Sequence, residues 1–245
     1  MVVITLPAYN EEATLRPLLH AIQEAMEENT LPYRVIVVDD GSEDGTAEVA
    51  AKLADRLPLE LVRHPSNRGL GESLRTGLLA ALRKASDRDI IVTMDSDNTH
   101  SPGLIVRMVR NIREGNDVVI ASRYRPGARI VGVPLYRRLL SRGASLLFRM
   151  LFPTPNVRDF TSGYRAYRAG LLRRAFEAYG DDLVGQAGFS CMVDLLLKLR
   201  RLDAIMSEVP LVLRYDRKQG ISKMLVLQTI RQTLALAITR RLGAR

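Results

Sequence analysis

The sequence is poor in residues that staple or stack. A single cysteine, Cys191, excludes an intrachain disulfide, and three histidines are too few to support a structural zinc site beside it. One lone thiol fits a reducing compartment. Tryptophan is absent and aromatic residues make up 5%, so the stacking platforms of single-stranded nucleic-acid binders are scarce. No apolar run reaches the roughly 20 residues of a membrane span. The best stretch, Met224 to Ile238, is interrupted by Arg231 and closed by Arg240 and Arg241. The chain opens on an apolar run, Val2 to Leu6, without the basic lead of a secretory signal. Repeats and low-complexity segments are missing too. With 245 residues, 47% apolar and 26% charged, the chain fits one large domain or two small ones. A core of that size needs no staples.

The net charge of +9 is unevenly spread. Residues 1–100 hold 10 Lys+Arg against 17 Asp+Glu, or −7; residues 101–245 hold 26 against 10, or +16. The basic part calls for an anionic partner: nucleic acid, an anionic lipid surface or a phosphate-bearing substrate. Arginine outnumbers lysine, which favours bidentate phosphate recognition. The scarcity of aromatics weakens a single-stranded nucleic-acid reading.

Short β-branched runs at Val2–Leu6, Arg34–Asp39, Leu59–Arg63, Asp89–Met94 and Asp117–Ser122 read as strands. Helical patterns lie between them at about 11–28, 44–56, 69–86 and 102–114, with Asn10, Ser42 and Ser101 as expected caps. This βαβ series predicts a doubly wound, mostly parallel α/β sheet with its ligand edge at the strand C-termini. After residue 122 the rhythm changes. An Arg, Gly and Pro-rich loop over 123–133 leads to an amphipathic helix over Pro134–Phe152. A polar loop, Asp159–Arg168, follows. Phe189–Arg201 reads as a helix, Glu208–Leu213 as one short strand, 214–223 as a basic loop and 224–242 as a last amphipathic helix.

Three strand ends carry carboxylates: Pro7-Ala8-Tyr9-Asn10-Glu11, Asp39-Asp40-Gly41-Ser42 and Asp95-Ser96-Asp97. A fourth ends in Ser122-Arg123-Tyr124. Any one carboxylate is also a turn former or helix cap; three on one edge point to a site. Asp95 and Asp97, at the end of a buried run, offer hard oxygens that suit Mg²⁺ or Mn²⁺. Such an ion neutralises a diphosphate leaving group.

These three acidic segments resemble the markers of family 2 glycosyltransferases with the GT-A fold. Ser122-Arg123-Tyr124, Ser141-Arg142-Gly143-Ala144, Thr161-Ser162-Gly163-Tyr164-Arg165 and Gly220-Ile221-Ser222-Lys223 are similar to the dolichol- and polyprenyl-phosphate hexosyltransferases. The resemblance runs from residue 2 to about 224. It implies a nucleotide-sugar site of Pro7, Tyr9, Glu11, Asp39, Asp95 and Asp97. It implies a metal held by Asp95 and Asp97, with Thr99 where relatives often carry Gln. His100 lies next to that position and also reads as part of the following helix start. Arg123, Arg137, Ser141, Arg217 and Lys223 match positions that bind acceptor phosphate or donor diphosphate, and Asp97, Arg123, Arg217 and Lys223 are the expected catalytic set. Asp159 reads as a sugar contact or as a partner of Arg158 or Arg165.

On this resemblance residues 1–223 form the catalytic domain, 1–122 its nucleotide-sugar half and 123–223 its acceptor half, with an amphipathic helix over 224–245. The expected enzyme is an inverting hexosyltransferase, moving mannose from GDP-mannose to dolichyl or polyprenyl phosphate. It would lie on the cytoplasmic face of a membrane, alone or with a separate membrane-anchoring partner, and would not bind nucleic acid. A UDP-sugar donor, another lipid or glycan acceptor, and a basic lipid- or nucleic-acid-binding module on an inert fold are the competing expectations.

Overall fold

The computed structural model describes residues 1–186, 188 and 190–217. The first part alternates as expected: β1 (Val2–Ala8), α1 (Glu12–Glu28), β2 (Tyr33–Asp39), α2 (Thr46–Ala54), β3 (Leu59–Arg63), α3 (Leu70–Lys84), β4 (Ile90–Thr93), α4 (Leu104–Arg113) and β5 (Val118–Ser122). Then come β6 (Arg129–Val131), α5 (Leu135–Leu151), β7 (Arg165–Arg168), α6 (Ala169–Tyr179), α7 (Ser190–Arg200), β8 (Met206–Pro210) and β9 (Val212–Arg214). A seven-stranded sheet runs β3-β2-β1-β4-β7-β5-β8, and a small second sheet pairs β6 with β9. Every neighbouring pair in the large sheet is parallel except those made by β7, which is antiparallel to both β4 and β5.

Strands β1, β2, β4 and β5 are largely buried on both faces, which is why their runs lack polar alternation. Val2, Ile4 and Leu6 face α1, α2 and α4, where Leu15, Leu19, Ile22, Met26, Ile105 and Met108 meet them. Val3, Ile36, Val38 and Ile91 face α3, α6 and α7. Each such side chain removed from water contributes about 1.5–3 kcal/mol. Helix α3 lies flat on β1 because position 77 is glycine: a Cβ there would stand 2.0 Å from Thr5 Oγ1.

Three expectations need correction. The segment Asp159–Arg168 is not all loop, for its last four residues form β7 between β4 and β5. Two arginines disguise this strand. Arg165 is nonetheless fully buried, its charge absorbed by the carbonyls of Met192 and Phe160, each 2.7 Å away. The run Glu208–Leu213 is two strands in different sheets, β8 ending at Pro210 and β9 starting at Val212. Asn10, Ser42 and Ser101 do not cap helices; the N-cap residues are Glu11, Gly45 and Gly103, none with a side-chain cap bond. Helix α6 has no counterpart in the sequence reading. The expected final helix and most of the basic loop before it lie outside the described residues. Among the described residues no helix is long and apolar enough to cross a membrane.

Candidate active site at the strand ends

The parallel strands bring their C-terminal ends to one edge, with Ala8 level with Asp39 and Thr5 level with Thr93. Asn10 and Ser42 fasten the first two ends together. The Asn10 N–H donates to Ser42 Oγ at 3.0 Å, and the Glu43 N–H donates to Asn10 Oδ1 at 2.9 Å. Beside them opens a pocket of about 560 Å³, lined by Tyr9, Ser42, Glu43, Arg63, His64 and Asn67 among others. That volume is in the range of small-molecule sites. Asp39 is fully buried; its Oδ1 accepts from the Ser42 N–H at 3.1 Å. Its Oδ2 pairs by charge with Arg63 Nε at 3.2 Å, outside hydrogen-bond geometry. Asp40 secures the far wall. It accepts from the Arg68 N–H at 3.0 Å and the Gly69 N–H at 2.8 Å, and bonds His64 Nδ1 at 2.7 Å. Gly41, at φ 70°, lies so close to the 66–67 backbone that a Cβ would stand 2.4 Å from the Ser66 carbonyl carbon.

The end of β4 lies next along the edge. Ser96 donates to the Pro7 carbonyl at 2.7 Å, and its own carbonyl accepts from Thr14 Oγ1 at 3.0 Å. Thr14 also donates to Glu11 Oε2 at 2.8 Å, so Pro7, Glu11 and the aspartate loop form one bonded unit. Asp97 is 8% exposed and Asp95 half-buried. The Thr99 hydroxyl donates to Asp97 Oδ1 at 2.7 Å, which fixes the carboxylate's orientation. Gly163 leaves room at Asp95, since a Cβ there would stand 3.3 Å from Asp95 Oδ1. Two hard carboxylates with space beside them suit a divalent ion that completes its shell with phosphate and water. Among the described residues no cluster of three or more His, Cys, Asp or Glu forms around them. His100 Nε2 lies 4.0 Å from Asp95 Oδ2, and the ring stacks on Tyr164 at 4.9 Å.

One cation, Arg123, lies within reach of the Asp95 charge. Arg123, at the end of β5, is bound bidentately by Asp159, Nε to Oδ2 at 2.9 Å and Nη2 to Oδ1 at 2.7 Å. Asp159 therefore pairs with Arg123, not with Arg158 or Arg165. Burial alone would push the Asp159 carboxyl up, but the Arg123 guanidinium overrides it and holds the carboxyl below its ordinary range. Burial works against the Arg123 charge, yet Asp159 raises its pKa further, with Tyr124 and Asp95 adding to the effect. Ser141, on α5, bonds the Tyr124 hydroxyl through both its Oγ, at 2.6 Å, and its carbonyl, at 2.8 Å. Arg137 lies on the same helix, its side chain outside the described residues, as is the whole of Lys223. Arg217 is exposed in a single 3-10 turn directly after β9. That strand is tied to the aspartate loop, for the Arg214 N–H donates to the Thr99 carbonyl at 2.9 Å and Leu213 bridges His100.

Sequence reasoning missed Arg63, His64 and Asn67, although β3 ends on the same edge. Its end carries no carboxylate, and a search for acidic ends passes over it. It also missed Glu208, 5% exposed, whose Oε1 accepts from the N–H groups of Arg158 at 2.6 Å and Asp159 at 2.7 Å.

An open parallel sheet handles ligands along this edge, and the chemistry gathered on it is that of a glycosyltransferase. Residues 3–176 match the model of Glycosyl transferase family 2, and the chain belongs to that family. It is 31% identical over 222 residues to a dolichol-phosphate mannosyltransferase of Pyrococcus furiosus, a match covering 90% of this chain and 58% of that protein. This chain thus spans little more than half of that relative's length. It is 35% identical over 224 residues to an undecaprenyl-phosphate mannosyltransferase of Micrococcus luteus, covering 91% and 87%. A polyprenol monophosphomannose synthase of Mycolicibacterium smegmatis is 31% identical over 223 residues, covering 90% and 80%. Among solved structures, glucosyl-3-phosphoglycerate synthase from Mycobacterium tuberculosis, with Mn²⁺, UDP and glucosyl-3-phosphoglycerate, superposes with a TM-score of 0.67 at 24% identity. That match covers 99% of this chain and 80% of the other, and it establishes the shared GT-A fold.

Proposed function

We propose that the protein transfers a hexose, mannose from GDP-mannose as the first choice, to a polyprenyl phosphate. The observation that carries this reading is that strand ends of one sheet carry Asp95 and Asp97 after β4, Arg123 after β5 within reach of the Asp95 charge, and a pocket large enough for a nucleobase at Tyr9 and Ser42. The mannosyltransferase names of the relatives supply the sugar and the lipid class.

On this reading residues 1–122 hold the donor, its base in the pocket at Tyr9 and its diphosphate toward Asp95 and Asp97. Residues from 123 onward hold the acceptor. The acceptor phosphate is ionised near neutral pH and needs no strong base. One of its oxygens bonds to the anomeric carbon as the bond from that carbon to the diphosphate oxygen breaks on the opposite face, so the sugar inverts. The electron pair leaves with the nucleoside diphosphate and no proton need move. A divalent ion held by Asp95 and Asp97 would neutralise the diphosphate and favour its departure. Arg123 and Arg217 offset the repulsion between the two anions as they approach, as would Arg137 and Lys223. Tyr124 fixes Ser141 near the same place.

Helix α5 accounts for the meeting with a lipid. It is fastened through Ser141, Ser145 and Phe148, which leaves Leu135, Leu139, Leu146 and Met150 between 56% and 73% exposed. Arg142 and Arg149 flank that stripe. An apolar stripe with basic flanks suits the headgroup region of an anionic bilayer, which supports an enzyme lying on a membrane surface, the cytoplasmic one on this reading. The test is transfer of labelled hexose from a panel of GDP- and UDP-sugars to a short polyprenyl phosphate with Mn²⁺ or Mg²⁺. Transfer from GDP-mannose, abolished by Asp97→Ala, is expected. Full activity in that variant would refute the metal assignment, and transfer from UDP-sugars alone would reassign the donor.

A further inference from the structure

We infer that Asp159 is a positioning residue for the transfer reaction: it holds the Arg123 guanidinium by one edge, so that the other edge meets phosphate. The inference rests on the reading of Arg123 as a phosphate contact. Asp159 has no solvent exposure, and both its oxygens are used. Its Oδ1 accepts from the N–H groups of Thr161 at 3.3 Å and Ser162 at 3.1 Å, which form the local turn. An asparagine would serve that turn equally well. What needs a carboxylate is Arg123. Oδ2 takes its backbone N–H at 3.0 Å and its Nε at 2.9 Å, while Oδ1 takes Nη2. Thr161 Oγ1 accepts a further Nη2 bond at 2.6 Å.

Three of the five guanidinium hydrogens are thereby committed. The two on Nη1 meet no acceptor among the described residues, and the side chain is 21% exposed. Asp95 is near enough to act on the Arg123 charge. Without a competing carboxylate, that attraction would draw the guanidinium toward Asp95. Asp159 prevents this and leaves a preset pair of donors for an incoming phosphate. Glu208 supports the arrangement from β8 by accepting the N–H groups of residues 158 and 159.

The experiment compares wild type, Asp159→Asn, Arg123→Lys and the double variant. Hexose transfer gives kcat and KM, and calorimetry gives the affinity for a short polyprenyl phosphate. Asp159→Asn keeps an acceptor for the turn but sets its NH2 against the Arg123 N–H and Nε, so it is expected to lower the melting temperature, as loss of a buried charge partner does, and to lower kcat by about 10- to 100-fold. In the Arg123→Lys background the same change should lower kcat by less than about 3-fold, because the bidentate partner is already gone. Equal losses in both backgrounds, or a single variant within about 3-fold of wild type, would overturn the inference. If Asp159→Asn fails to fold, Thr161→Val replaces it, with a smaller loss expected in the wild-type background and none beside Arg123→Lys. Should wild type transfer no hexose from any donor, the functional reading fails. The same cycle on affinity for a short polyprenyl phosphate then still decides whether Asp159 acts through Arg123.

Discussion

Replacing Gly41 by alanine tests how the nucleotide pocket is built. The residue has φ 70°, a left-handed conformation that costs an L-residue with a Cβ about 1–2 kcal/mol. The added carbon would also stand 2.4 Å from the Ser66 carbonyl carbon and 2.7 Å from the Asn67 nitrogen, both backbone atoms that cannot rotate away. Ordinary contact begins at 3.4 Å, so the 64–69 loop must retreat by about 1 Å. Overpacking of this kind adds about 1–3 kcal/mol. A total near 3 kcal/mol in a chain of this size lowers the melting temperature by about 6–12 °C. The retreat also pulls on the Asp40 bonds to the Arg68 and Gly69 N–H groups and moves one wall of the pocket. Nucleotide affinity by calorimetry with Mn²⁺ should fall by at least about 10-fold, since one misplaced wall costs an oriented contact. A variant that melts within about 1 °C of wild type and binds nucleotide equally well would show that the loop is not held where the structure has it.

Glu208→Gln probes the buried carboxyl behind Asp159. Burial raises the Glu208 pKa, the Asp159 charge adds to the rise, and the two backbone N–H bonds oppose it. The native state therefore keeps this proton to a higher pH than the unfolded chain does. Its stabilising share is complete below the unfolded value of about 4.3 and is lost as pH rises through the native value. Melting curves across pH should show the glutamine variant gaining on wild type over that window and holding the gain above it; a flat or reversed difference would refute this. Membrane association gives the last test. Leu139→Ser with Met150→Ser removes two exposed apolar side chains of α5, each worth about 1.5–3 kcal/mol if it enters lipid. Sedimentation with anionic vesicles should show binding weakened at least about 10-fold, and unchanged binding would remove α5 from the lipid contact.

Strands β1, β2, β4 and β5 could be read from the sequence because they are largely buried and rich in β-branched residues, and the edge strand β3 from its short apolar run between two helical patterns. Strand β7 could not, since Arg165 and Arg168 look like surface charges until Met192, Phe160 and Asp117 are seen to receive them. The division between β8 and β9 was hidden for a different reason: an apolar run does not show where one sheet stops. Asp39, Asp95 and Asp97 were legible as acidic strand ends. The Arg123–Asp159 pair was not, because its partners are 36 residues apart and meet only after β7 has entered the sheet. Asn10 and Ser42 have the chemistry of helix caps, but two adjacent strand ends offered them each other's backbone.

The place of β7 has a consequence for synthesis. Until residue 168 has emerged, β4 and β5 have no strand between them, and each leaves an edge unpaired. At about 5–20 residues per second, the β4 edge stays open while the 75 residues from Thr93 to Arg168 are made, roughly 4–15 seconds, and the β5 edge for the last 46 of them, roughly 2–9 seconds. A nascent chain caught in that interval is the form most exposed to wrong pairing, and the one for which a chaperone matters most.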